Sequence, residues 1–170
     1  QIVALTRSGY RAIDGSYEHL RMFSPWVAAR NEAFKWVLAP GQRICGEWLA
    51  MAHGTRYGDG PAFVAFDLMV GADRLPHDTF KEVCTSTEIS TATVLSDGPP
   101  CSVTRALGLL GEFGHHGALE APEGCVWKVE RNGSFDFNCK YVRPEKVDGK
   151  YLPNIASSDP IWMRGIKESS

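Results

Sequence analysis

The stretch EGCVWKVERNGSFDFNCKYVR, Glu123 to Arg143, is two β-rich runs joined at Arg131-Asn132-Gly133. An Asn-Gly pair between alternating apolar residues is a strong hairpin signal, because a tight turn with positive φ at both central positions suits those two residues. Antiparallel pairing therefore starts here, and the rest of the chain reads outward from it. Upstream, RICGEWLAM (Arg43 to Met51) and PAFVAFDLM (Pro61 to Met69) are two more strands, flanking the polar loop HGTRYGDG. TATVLSDG reads as a further strand, and so does Ile2 to Leu5, which ends at the turn Thr6-Arg7-Ser8-Gly9. Helices are expected at Leu75 to Val83, entered through Pro76, and at Val103 to Gly114. Ser16 to Leu38 has helical spacing at Leu20, Phe23, Val27, Phe34, Val37 and Leu38. A break is expected there at Ser24-Pro25, with Ser24 as the N-cap of the second helix and Pro25 in its first turn. The fold class is α+β, with largely antiparallel sheets and flanking helices.

Bulk properties narrow the rest. A chain of 170 residues can bury one real core. A formal charge of −2 excludes a globally basic nucleic-acid binder, though not a local basic groove. No apolar run reaches the ~18 residues of a membrane span. The cysteines Cys45, Cys84, Cys101, Cys125 and Cys139 are odd in number and include no C-x-x-C pair. That pattern argues against a secreted disulfide scaffold and for free thiols in a reducing compartment, here read as the cytoplasm. A monomer is expected. Trp26, Trp36, Trp48 and Trp127 are read as core side chains, and His115-His116 as a polar loop, since no third ligand has useful spacing.

Polar residues inside apolar strands are informative, because an unpaired buried charge is costly. Glu47 lies in ICGEWLA, Asp67 in FVAFDLM, Glu123 and Lys128 in EGCVWKVE, and Lys140 in NCKYVR. Singly, each has an ordinary reading. Glu47 can be a strand-end carboxylate, Asp67 a turn cap, Glu123 a surface turn residue, and the lysines outward strand positions. Period 2 sets Glu123 and Lys128 on opposite faces, so they converge only if Glu123 sits at the strand mouth.

In order, however, TRSG, GEWLAMAHGTRY, FVAFDLM, EGCVWKVER and KYVRPEKVDGKYLP resemble the nucleotidyltransferase motifs of ATP-dependent RNA and DNA ligases. The likeness is strongest to a bacterial RNA-ligase-like family and runs from Ile2 to about Pro153. It implies a nucleotidyltransferase (ATP-grasp-like) domain at residues 1–153 with a C-terminal tail at 154–170. ATP and Mg²⁺ are the implied cofactors, and RNA ends or nicks the implied partners. In such ligases a lysine attacks the α-phosphate of ATP to give lysyl-AMP. The AMP then passes to a 5′-phosphate end, and a 3′-hydroxyl displaces it. By resemblance, Arg7 contacts the nucleotide or the 5′-phosphate, Glu47 engages the ribose, and Phe66 stacks on adenine with Asp67 as the acid after it. Glu123 is the carboxylate associated with the metal, and Lys128 and Lys140 contact phosphate oxygens. His53 and Arg56 are further candidates for facing substrate phosphates. Such roles suit phosphoryl transfer, which depends on positioning and charge neutralisation.

The family's nucleophile belongs to a K-x-D-G motif that precedes the Arg7 strand. Lys146-Val147-Asp148-Gly149 fits that pattern but follows the last motif, so Lys146 is read as a decoy. Ala12-Ile13-Asp14-Gly15 has alanine where the lysine would stand. The nucleophile is expected ~10–15 residues before Gln1. The chain is therefore read as a fragment, or as a product that has lost the first step, and as unable to self-adenylate. The competing readings are a non-catalytic nucleotide- or nucleic-acid-binding module and a DNA-ligase or capping-enzyme core, which usually carries an additional OB domain.

Overall fold

In a computed structural model that describes residues 1–164 and 166, two antiparallel sheets carry the polar strand residues. Strands β1 (Gln42–Trp48), β2 (Phe63–Val70) and β3 (Asp73–Arg74) form the first, in that order. Strands β4 (Gly124–Arg131) and β5 (Ser134–Val142) form the second. Their turn is built as its residues demand, with φ of 53° at Asn132 and 73° at Gly133. The helices are α1 (Glu18–Ala28), α2 (Asn31–Val37), α3 (His77–Ser86), α4 (Val103–Leu110) and α5 (Pro153–Ala156). The fold is α+β, as its sequence pattern indicates.

One face of β2 makes the core. Phe63, Ala65 and Leu68 pack on Phe80 and Cys84 of α3, with Phe23 and Trp26 of α1 and Trp48 of β1 closing around them. Phe23 stacks on Phe63 at 5.5 Å between centroids, and Trp26 meets Trp48 edge-on at 5.6 Å. Trp127 is half-buried and donates its indole N–H to the Cys101 carbonyl at 3.1 Å. Trp36 departs from expectation and is 88% exposed. On α2 the inward residue is Phe34, and two residues further on is about 200° around the helix.

Three other expectations are corrected. Pro25 lies inside α1, and the chain breaks at Arg30 (φ −110°, ψ 11°). Burying Phe23, Trp26 and Val27 together requires the helix to run on through the proline, which offsets its missing hydrogen bond. TATVLSDG makes only one parallel bridge, Thr91 to Ala65. The same edge of β2 is taken at Met69 and Val70 by β3, and a bulge at Phe66 interrupts the ladder between. Ile2 to Leu5 makes one bridge, Leu5 to Arg11, and contributes Ala4 to a small cluster with Ala12, Val27 and Phe34. Packing, rather than a ladder, uses that apolar pattern.

After α5 the chain returns along the segment that follows β1. Ala52 N–H donates to the Ile161 carbonyl, and Met163 N–H to that of Ala50. Met163 is buried with Leu49 and Val64. Lys150 and the Tyr151 hydroxyl, just before α5, donate to Glu120, which also accepts from the Arg56 backbone N–H. Burial acts to raise the Glu120 carboxyl, but these hydrogen bonds outweigh it and leave it at about 2.

The bulge positions the site. Cys45 faces Asp67 while Gly46 faces Ala65, so Phe66 is the extra residue. Ala65 and Leu68 can then both point into the Phe80 core, which leaves Phe66 and Asp67 on the opposite face, where Glu47 also lies opposite Val64. Gly46 lets β1 approach, since a Cβ there would collide with the Phe63 ring and the Val64 carbonyl. Gly46→Ala is expected to cost about 1–3 kcal/mol, as overpacked sites do. Urea denaturation measures this, and a wild-type midpoint would show that the two strands do not approach so closely.

Candidate active site

Glu123 stands immediately before β4, at the strand mouth, its carbonyl held by Arg143 N–H at 3.0 Å. Gly124 follows because the β5 backbone passes so close that a Cβ would strike the Tyr141 carbonyl oxygen. Lys140 on β5, opposite Val126, places its ammonium 3.0 Å from Glu123 Oε1. Lys146 pairs with the same oxygen, and with Asp148 Oδ1 at 2.5 Å. Burial acts to raise the Glu123 carboxyl, and the hydrogen bonds from Lys146 and Lys140 overcome it and hold it below the usual range. The Glu47 carboxyl is raised, first by desolvation and then by the Glu123 charge, while Arg7, Lys140 and Lys146 pull it down. Glu47 still presents accessible area. It sits at a mouth, wetted on one side and crowded by protein on the other. Glu123, Arg7, Lys140 and Lys146, far apart in sequence, thus all act on the charge of Glu47.

Lys128 goes elsewhere. It lies opposite Asn138, on the same face of the hairpin as Lys140 and diagonal to it, about 7–8 Å away. Its ammonium crosses to the first sheet, pairing with Asp67 Oδ1 at 2.6 Å and donating to the Phe66 carbonyl. Arg74 Nε approaches the other oxygen of Asp67 at 2.7 Å. By distance these are ion pairs, yet Asp67 Oδ1 and Arg74 Nε lack well-aligned hydrogen bonds. They are charge contacts. The Phe66 ring is 38% exposed, beside a buried Asp67.

A family model described as RNA ligase matches residues 1–149. The chain belongs to the RNA ligase family. Neither a curated protein nor a solved structure matches it in the corresponding comparisons.

Within this RNA ligase family member, three residues take places at the site that their sequence context did not indicate. Lys146 is folded back onto Glu123 by a turn. Arg74 reaches Asp67 because β3 pairs Met69 with it. Val126 is 54% exposed on the Lys128–Lys140 face, where an apolar strand residue reads from sequence as core. Arg56 is engaged locally, its backbone on Glu120 and its guanidinium 5.5 Å from the Tyr151 ring. His53 contacts the edge of His19, whose pKa falls to about 4 through burial and then the His53 charge. Two surface hollows, about 430 and 330 Å³, lie by Ala28–Glu32 and by Gly60–Phe63, and contain none of these groups.

Among the described residues no cluster of three His, Cys, Asp or Glu side chains could hold a metal. Glu47 and Glu123 are two hard oxygen donors that repel each other at one mouth. Mg²⁺ commonly takes one or two carboxylates and completes its shell with water and substrate phosphates, so the donor set fits.

Proposed function

We propose that the chain is the nucleotidyltransferase domain of an ATP- and Mg²⁺-dependent RNA ligase that joins 5′-phosphate to 3′-hydroxyl ends, with residues 1–153 as the domain and 154–170 as its tail. The ion pair of Glu123 with Lys140 at the strand mouth, close enough to Glu47 to act on its charge together with Arg7, carries this reading. Phe66, re-aimed by the bulge, offers an exposed ring for adenine, and Val126 an apolar surface on the facing hairpin. Glu47 would accept from the ribose. Lys140 would neutralise phosphate oxygens, as would Lys128 once the nucleotide replaces Asp67 as its partner. Glu123, with Glu47 nearby, would hold Mg²⁺, which supplies charge neutralisation at the phosphates. Arg7 would meet the nucleotide or the 5′-phosphate. The RNA partner follows from the family, and a monomer in the cytoplasm is consistent with it.

Lys146 does not serve as nucleophile in this reading. Hydrogen bonds to Asp148 and then to Glu123 raise its pKa, whereas a nucleophilic lysine needs its pKa lowered. These 170 residues are therefore expected to bind ATP with Mg²⁺ without gaining mass. Calorimetry and intact-mass spectrometry on the same sample test both halves. A stoichiometric AMP adduct would overturn the exclusion of Lys146, and failure to bind ATP would overturn the pocket.

A further inference from the structure

Lys146 has a built position and, so far, no task. Its turn is hooked to the residue it contacts: Arg143 N–H donates to the Glu123 carbonyl, and Lys146 N–H donates to that of Arg143 at 3.1 Å. Beyond it, Tyr151 N–H donates to the His53 carbonyl, and Val147 packs its own carbonyl near Gly54. The turn is thereby pinned to the loop after β1. The Lys146 side chain is 21% exposed, against 55% for Lys140 and 89% for Asp148. Its amine thus faces inward on Glu123, with Asp148 as a second acceptor on the solvent side.

Two ammonium groups share Glu123 Oε1, an arrangement that neutralises one carboxylate more than fully, while Glu47 makes no direct ion pair among the described residues and is offset only by the more distant charges of Arg7, Lys140 and Lys146. A divalent cation between the two carboxylates would satisfy both. We propose that Lys146 is a resident counter-ion that occupies Glu123 in the metal-free site and yields it to the incoming divalent cation, withdrawing onto Asp148. This rests on the reading of Glu123 as the metal carboxylate. Lys146 then keeps the mouth from becoming a repulsive carboxylate pair before ligand arrives, and it sets how much metal is needed to load the site. Because the displaced amine already has Asp148 at hand, the exchange leaves no buried unpaired charge.

The test is binding of Mn²⁺ alone, without nucleotide, followed by electron paramagnetic resonance on the whole chain. Lys146→Met removes the competitor and should bind Mn²⁺ about three- to fivefold more tightly, the scale of a partly exposed ion pair. Lys146→Gln, neutral but still a hydrogen-bond donor, should behave the same way, and Lys146→Arg should match wild type. Unchanged or weaker Mn²⁺ binding in both neutral variants would overturn the proposal. Glu123→Gln separates the two readings. If it binds Mn²⁺ like wild type, Glu123 is not the metal carboxylate and both readings fall. If it loses Mn²⁺ while the neutral variants stay at the wild-type level, only the counter-ion role falls.

Discussion

Asp67→Ala is expected to lower the melting temperature by roughly 5–12 °C, the largest stability effect of any site residue. Asp67 is 2% exposed and joins three elements: its own β2, Arg74 of β3 and Lys128 of the β4–β5 hairpin. The hairpin is held to the first sheet by few polar ties. Besides Lys128, among the described residues, Arg74 lies 4.3 Å over the Phe135 ring, while the His77 N–H donated to Glu130 ties the hairpin to α3 rather than to the sheet. Removing the carboxylate frees two cations at once, and breaking a buried pair costs about 3–5 kcal/mol. Lys128 and Arg74 are each about a quarter exposed and can partly recover water, so about 2–4 kcal/mol is the better expectation. Thermal denaturation by circular dichroism measures it. Adding Lys128→Met should restore part of the loss, because one stranded charge disappears with its partner. A single variant melting within about 1 °C of wild type would mean that Asp67 does not join the sheets.

The same residue illustrates what can and cannot be read from the chain. FVAFD is legible as a strand, and a carboxylate after four apolar residues is legible as unusual. The bulge is not, because it depends on how Gly46 of another strand meets Ala65. Without the bulge, alternation would place Phe66 and Asp67 on opposite faces. The Asn132-Gly133 turn was legible for the opposite reason: its geometry is determined by two adjacent residues. Pro25 misleads because the local preference for a helix start is weaker than the joint burial of Phe23, Trp26 and Val27. The odd spacing of Glu123 and Lys128 did not separate them by face, because Glu123 lies before β4 and reaches Lys140, on the Lys128 face, although the two side chains go to different partners. Lys146 lay beyond such reasoning. Its motif pattern suggested chemistry and its order argued against the nucleophile's role, but only the tertiary return of the turn places its amine on Glu123.

Lys140→Ala is expected to weaken ATP binding by about 10- to 100-fold with little change in melting temperature, since a hydrogen bond to a charged group contributes about 1.5–3 kcal/mol. The fold should tolerate the change. Lys140 is more than half exposed, and its partner Glu123 keeps Lys146. Glu123→Ala should weaken binding comparably, but by a different route. A phosphate contact from Lys140 acts with or without metal, whereas Glu123 favours the nucleotide only through a divalent cation and otherwise repels its phosphates. Titrating ATP by calorimetry with Mg²⁺ and again with chelator therefore separates the two. Lys140→Ala should lose affinity under both conditions. Glu123→Ala should lose it with Mg²⁺ and match or exceed wild type without. If Lys140→Ala binds ATP as wild type does under both conditions, the phosphates do not lie along the Lys128–Lys140 face, and the nucleotide must enter from the Phe66 side in another orientation.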